Sequence, residues 1–336
     1  MAISMIGDMR QHLLTTRHNT SLKNELNTLV QELTSGEHND LTAHLGGDQT
    51  RLAGLDRQLQ MLGQFAQTNA ETGQLLSMMQ TALSGIDSHR ETASAALLSI
   101  NTSSTLSQIE NAAEVARGSF ESTVQTLNLR SGDRSMFGGN DLGSNPLADP
   151  NVMMTALENA VAGLTSATGI EAAVDAWFDA PAGGFETVGY LGDTNGYISR
   201  SSGAGQTIEI SARADDQAIR DTLKALAKGA LAGNSSLNLG NETRQSLQEQ
   251  SGVELLTQAS ELTGIQARIG HAEQRAEQAK ALISAQTASF GIARNELVAA
   301  DPFDTATRLQ SVQLQLETHY TLTARLSHLS LTEYLR

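Results

Sequence analysis

The chain's only prolines are Pro146, Pro150, Pro181 and Pro302. Residues 1–145 and 182–301 therefore contain nothing that forbids a helix from continuing. Apolar residues recur through both stretches at helical intervals. Leu262, Ile265, Ile269, Ala272, Ala276, Ala279, Ile283, Gln286, Phe290, Ala293 and Leu297 step alternately by three and four. That spacing keeps one seam along a long supercoiled helix, predicted over residues 241–299. Leu52, Leu55, Leu59, Leu62 and Ala66 follow the same rhythm. A break is expected near Asn69–Gly73, after which Leu76, Met79, Leu83, Ile86, Ala93, Leu97 and Ile100 resume it. A second helix is expected over residues 105–129, with Leu106, Ile109, Ala113, Ala116, Phe120, Val124 and Leu127 on its apolar stripe. Helices from opposite ends of the chain should therefore pair antiparallel, giving a mainly α fold built as a long helical bundle or coiled-coil rod.

The middle reads differently. Residues 137–214 hold 12 of the 29 glycines together with Trp177, Phe178, Phe185, Tyr190 and Tyr197. This composition marks a small inserted α+β domain. Val152–Leu164 is a predicted helix, and Phe185–Tyr190, Tyr197–Arg200 and Thr207–Arg213 are predicted strands. Ile208 and Ile210 alternate with Glu209 and Ser211, as in a half-buried strand. Asp193-Thr194-Asn195-Gly196 is the expected hairpin turn, because Asn and Gly accept positive φ. Asp215 or Asp216 should cap a helix through Ile219, Leu223, Leu226 and Ala230, ending at Gly233.

Both ends are apolar, helical and charge-neutral. Arg10, Arg17 and Lys23 balance Asp8, Glu25 and Glu32, while Arg308, Arg325 and Arg336 balance Asp304, Glu317 and Glu333. The net charge of −15 therefore sits in the middle. Termini of this kind fray when alone, so they are expected to pack on each other and on copies of the same chain. The acidic balance argues against a nucleic-acid partner, which needs a basic face. No stretch approaches the ~20 apolar residues of a membrane span, so no membrane insertion is expected. The N-terminus, Met1-Ala2-Ile3-Ser4-Met5-Ile6-Gly7-Asp8, lacks the basic n-region and apolar core of a cleaved secretory signal. With no cysteine in the chain, disulfides, thiolate metal sites and cysteine nucleophiles are excluded.

Catalytic patterns are equally sparse. His12 and His18 are six residues apart, as are His38 and His44, whereas ligation from one helix face needs three or four. Gly203-Ala204-Gly205 is read as a strand-connecting turn rather than a phosphate cradle, and no Gly-x-Ser-x-Gly or Walker pattern occurs. No catalytic, metal or cofactor residues are assigned, and the chain is expected not to be an enzyme. One open reading at this level is an intracellular coiled-coil scaffold.

The C-terminal residues add a resemblance. Asp301-Pro302-Phe303-Asp304-Thr305-Ala306, Leu309-Gln310, Gln313-Leu314-Gln315, Tyr320 and Leu329-Ser330-Leu331-Thr332-Glu333-Tyr334-Leu335-Arg336 resemble the C-terminal helix of the flagellin superfamily. The closing Leu-Ser-Leu…Tyr-Leu is particularly similar to the superfamily's hook–filament junction branch. Leu26-Asn27-Thr28-Leu29-Val30-Gln31-Glu32-Leu33-Thr34-Ser35-Gly36 resembles the N-terminal helix and its Ser-Gly stop. Arg134-Ser135-Met136-Phe137-Gly138-Gly139-Asn140 resembles the turn leading into the middle domain. After Ser35-Gly36, Glu37–Asp48 replaces the Asp- and Pro- or Ala-rich loop usual in the superfamily.

The resemblance implies an extracellular structural subunit of the flagellum, exported by the type III apparatus without a cleaved signal peptide. It implies a cytoplasmic export chaperone, a homo-oligomer, and neighbours among the other hook-associated proteins and flagellin. The adaptor between hook and filament is the leading expectation, with bulk flagellin as the alternative. Three domains are then expected: residues 1–45 with 302–336 lining an inner tube, residues 46–136 with 236–301 forming a helical rod, and residues 137–235 facing outward. In the inner layer Leu22, Leu26, Leu29 and Leu33 should meet Leu309, Val312, Leu316, Leu326 and Leu329. Leu331, Tyr334 and Leu335 complete the expected packing set.

Overall fold

The computed structural model describes the backbone over residues 2–334 and the side chains of residue 10 and residues 13–325. Its elements, in order, are α1 (Ala2–Ser35), α2 (Leu41–His44), α3 (Thr50–Leu98), α4 (Leu106–Leu127), β1 (Arg130–Ser131), β2 (Arg134–Ser135), α5 (Pro150–Ala160) and α6 (Ala167–Asp179). After a π-helical turn at Phe185–Gly189 come β3 (Ile198–Gly203), β4 (Gln206–Ile210), α7 (Gln217–Leu231), α8 (Asn241–Val298) and α9 (Pro302–Tyr334). The fold is mainly α, with two small antiparallel sheets, β1–β2 and β3–β4. Among the described residues, no helix is long and apolar enough to cross a membrane. The chain divides into two compact units, one of residues 1–63 with 285–336 and one of residues 64–284.

In the unit of residues 64–284, α3 and α8 run antiparallel, because Gln80 donates to the Gln266 carbonyl, Arg90 to that of Leu255 and Ser94 to that of Gly252. Leu76, Met79, Leu83, Ile86, Ala93 and Leu97 of α3 and Leu262, Ile265 and Ile269 of α8 are buried in one core. The expected break near Asn69–Gly73 does not occur, since α3 continues through it. Asn69 and Thr72 take the seam positions there and are buried. Asn69 Nδ2 donates to the Ser202 carbonyl (3.2 Å) and Thr72 Oγ1 to that of Thr68 (2.7 Å). The apolar pattern lapses at this point while the backbone pattern continues. Gly73 costs the helix about 1 kcal/mol, too little to end it.

α4 begins with a complete capping box between Thr105 and Gln108 and buries Ile109, Ala113, Ala116, Phe120, Val124 and Leu127 of the stripe read from the sequence, while Leu106 in its first turn stays exposed. α7 packs on it. A Cβ on Gly229 would come within 2.7 Å of Leu97 Cδ1 and 3.2 Å of Ala116 Cβ, and one on Gly233 within 2.4 Å of Ala113 Cβ.

The inserted segment corrects three expectations. Asp216 sits at the start of α7, but its carboxylate accepts from Arg213 N–H (3.3 Å) and caps no N–H of the helix. Phe185–Tyr190 is not a strand. Its first five residues form the π-turn, in which Tyr190 N–H reaches back to the Phe185 carbonyl (2.6 Å). That closure stacks the Phe185 and Tyr190 rings at 16° and places Phe185 on Phe178 and Trp177. Ring packing prevails over the strand propensity of Phe, Thr and Val. Asp193–Gly196 is not the hairpin turn either. There Asp193 Oδ1 accepts from Asn195 N–H (2.8 Å), a local Asx turn. The β3–β4 hairpin turns at Ala204-Gly205, with Gly205 at φ +72°, and pairs Ile198 with Ile210. Ile208 and Ile210 point inward and Glu209 outward, as their alternation requires.

In the unit of residues 1–63 with 285–336, α1 stops at Ser35 and Gly36 takes φ +73°, a left-handed C-cap that the Ser-Gly pair foretells. The strand-like residues beyond it pair with the segment between α8 and α9. Ala300 N–H donates to the Gly36 carbonyl (2.9 Å) and His38 N–H to that of Val298 (2.8 Å). Arg294 joins Glu37 (2.7 Å) and Asp56 (2.9 Å), tying α8 to both.

Candidate assembly interface

α1 and α9 form an antiparallel pair. His18 meets His319, Asn19 lies near the Tyr320 hydroxyl, and Gly36 binds Ala300 at the other end. At the centre Leu22, Leu29, Val312 and Leu316 are buried together, with Leu26 and Leu309 half-buried against them. The seam leaves the expected line at Leu33, which stays 42% exposed. From Leu29 the contact steps by three to Glu32 rather than by four to Leu33. The reason is polar: Glu32 is buried because Asn39 N–H donates to its carboxylate (3.0 Å) and His38 Nδ1 lies 3.6 Å from it. The turn after Gly36 thus folds over a carboxylate, and Leu33 faces away. The side chains of Leu326, Leu329, Leu331 and Tyr334, and Leu335 as a whole, lie outside the described residues.

Some contacts here were not read from the sequence. His38 and His44 stack with centroids 3.9 Å apart and 26° between planes. They are six positions apart, but the chain turns between them. Among the described residues no group of three His, Cys, Asp or Glu could hold a metal ion. The Arg294 clamp has no periodic signature, since its partners lie in two distant segments.

The pair is thinly buried. Among the described side chains, 24 in α1 and 24 in α9, four apolar ones are buried in this seam. α4 buries seven apolar side chains out of 22 residues. Leu13, Leu14, Val30, Leu314 and Leu322 are all more than 40% exposed, and Phe303 is 82% exposed. Such a helix pair presents apolar side chains to solvent along both helices.

Comparison with known proteins bears on the same elements. Residues 253–335 match the bacterial flagellin C-terminal helical region, a stretch covering much of α8 and α9. No curated protein matches the chain. Among solved structures, a Vibrio parahaemolyticus protein described as flagellar hook-associated is similar at a TM-score of 0.50 and 10% identity. The likeness covers 73% of this chain and 95% of that one. It is a likeness of fold, and the flagellin-like match is confined to the C-terminal quarter.

Proposed function

We propose that this chain is a non-enzymatic structural subunit of the bacterial flagellum that joins the hook to the filament. The observation that carries this reading is the α1–α9 pair, which lies partly within the flagellin-like region and leaves Leu13, Leu14, Leu314, Leu322 and Phe303 uncovered. Neighbouring copies cover these side chains in a head-to-tail array around an axis. Each fully buried Leu contributes roughly 1.5–3 kcal/mol, so ordering of the terminal helices is coupled to assembly. In this reading residues 1–45 with 302–336 line the inner tube, residues 46–136 with 236–301 form the next layer, and residues 137–235 face outward. Its partners are copies of itself, other hook-associated proteins and flagellin, with a chaperone holding the C-terminal helix before type III export. The likeness to a flagellar hook-associated fold supports the junction role, whereas the match to a flagellin region favours a bulk filament subunit as the second reading.

Labelling isolated flagella for this chain separates the two. A single band between hook and filament is expected, and staining along the filament would establish the second reading. A chain lacking residues 302–336 is expected to be soluble and absent from flagella; its incorporation would refute both.

A further inference from the structure

The unit of residues 64–284 neutralises its cations almost completely. Arg90, Arg117, Arg213 and Arg268 contact carboxylates, as do Lys224, Lys228 and Lys280. Arg130, Arg220, Arg244 and Arg275 donate to carbonyls. Among the described lysines and arginines of this unit, only the side chains of Arg134, which is exposed, and Arg200, which is half-buried, have no hydrogen-bond or ion-pair partner. Both line one cleft of about 440 Å³. Two idle guanidiniums in a strongly acidic protein do not arise from a shortage of acids. Glu71 and Asp133 line the same cleft, yet neither is in ion-pairing reach of Arg134 or Arg200. Ser135, 1% exposed, also lines the cleft, and its Oγ has no partner among the described residues.

The lining combines two functions. Arg134 on β2 and Arg200 on β3 offer planar forks that suit a carboxylate or phosphate. Glu71, Asp133, Gln74 and Ser131 offer acceptors and amide or hydroxyl groups that suit a ligand's hydroxyls, while Leu75, Leu142 and Ile198 supply apolar wall. A bare anion would be repelled by Glu71 and Asp133. A polyol bearing one anionic group satisfies both halves, and the volume lies in the range of small-molecule sites.

We propose that this cleft binds an anionic sugar, a sugar acid or a sugar phosphate, with Arg134 and Arg200 holding the anionic group. Calorimetric titration of the full chain with glucuronate, glucose 6-phosphate, glucose and inorganic phosphate tests it. At least one of the two anionic sugars is expected to bind about ten-fold or more tighter than both glucose and phosphate, and which one identifies the anionic group. Arg134→Gln and Arg200→Gln should each weaken that binding about ten-fold at unchanged circular dichroism. Arg51→Gln, which alters an exposed arginine outside the cleft, should leave it unchanged. Failure of both anionic sugars to bind, equal binding of glucose, equal binding of phosphate, or equal loss in Arg51→Gln would each overturn the assignment. None of these outcomes depends on where in the flagellum the chain resides.

Discussion

Lys228 shows how much a single residue can owe to its neighbours. Its side chain is 3% exposed and lies 2.8 Å from Glu254 and 2.9 Å from Asp175. Burial would lower its pKa, but the hydrogen bonds and charges of Glu254 and Asp175 outweigh burial and hold it above 10.5. Because the folded-state value exceeds the unfolded one, the contribution is fully present below about pH 10.5 and is lost as pH rises through the folded-state value. Lys228→Met is expected to cost about 2 kcal/mol at pH 7, less than a fully buried pair because both carboxylates are half-exposed. It should also remove the alkaline part of the wild-type fall in thermal midpoint. Equal midpoints for the two proteins at pH 7 would refute this role. The sequence placed Ile219, Leu223, Leu226 and Ala230 on the inner face of α7, and that face is buried. It gave no sign that Lys228 is buried too, because both partners are contributed by other helices.

At the scale of elements, helix limits were legible where caps and periodicity agree. α8 ends at Val298 and α4 at Leu127, within two residues of the limits read from spacing. α6 was not anticipated, although Ile170, Val174, Trp177 and Phe178 form a helical stripe that is buried. The two-residue strands of β1–β2 are too short to carry any alternation. Gly233 was read as a helix stop, yet its stronger constraint is contact. A Cβ there would lie 2.4 Å from Ala113 Cβ, an atom fixed to the backbone of α4. Gly233→Ala is expected to force α4 and α7 apart and cost about 2 kcal/mol, despite the entropy gained by removing a glycine. Chemical denaturation would measure this, and a stabilised variant would show that the two helices can part freely.

For the whole molecule, the expectation concerns order. In a dilute monomeric sample, amides of α1 and α9 should exchange far faster than those of α4, and assembly should bring them to comparable protection. Full protection of α1 and α9 in the monomer would show that the pair is ordered without neighbouring copies. The sequence by itself determined the mainly α class and the long helices, because these follow from proline placement and a repeated seam; the pairing of both ends followed from their apolar, charge-neutral character. Leu22, Leu29, Val312 and Leu316, buried together in the structure, lie on the apolar stripes of the two ends. Only the tertiary structure decided that Glu32 displaces Leu33, that Phe185–Gly189 coils into a π-turn, and that Arg134 and Arg200 share a cleft. These depend on a turn that folds back over a carboxylate, on strands distant in sequence that line one cleft, or on ring packing that outweighs local propensity, and none of these leaves a period in the chain.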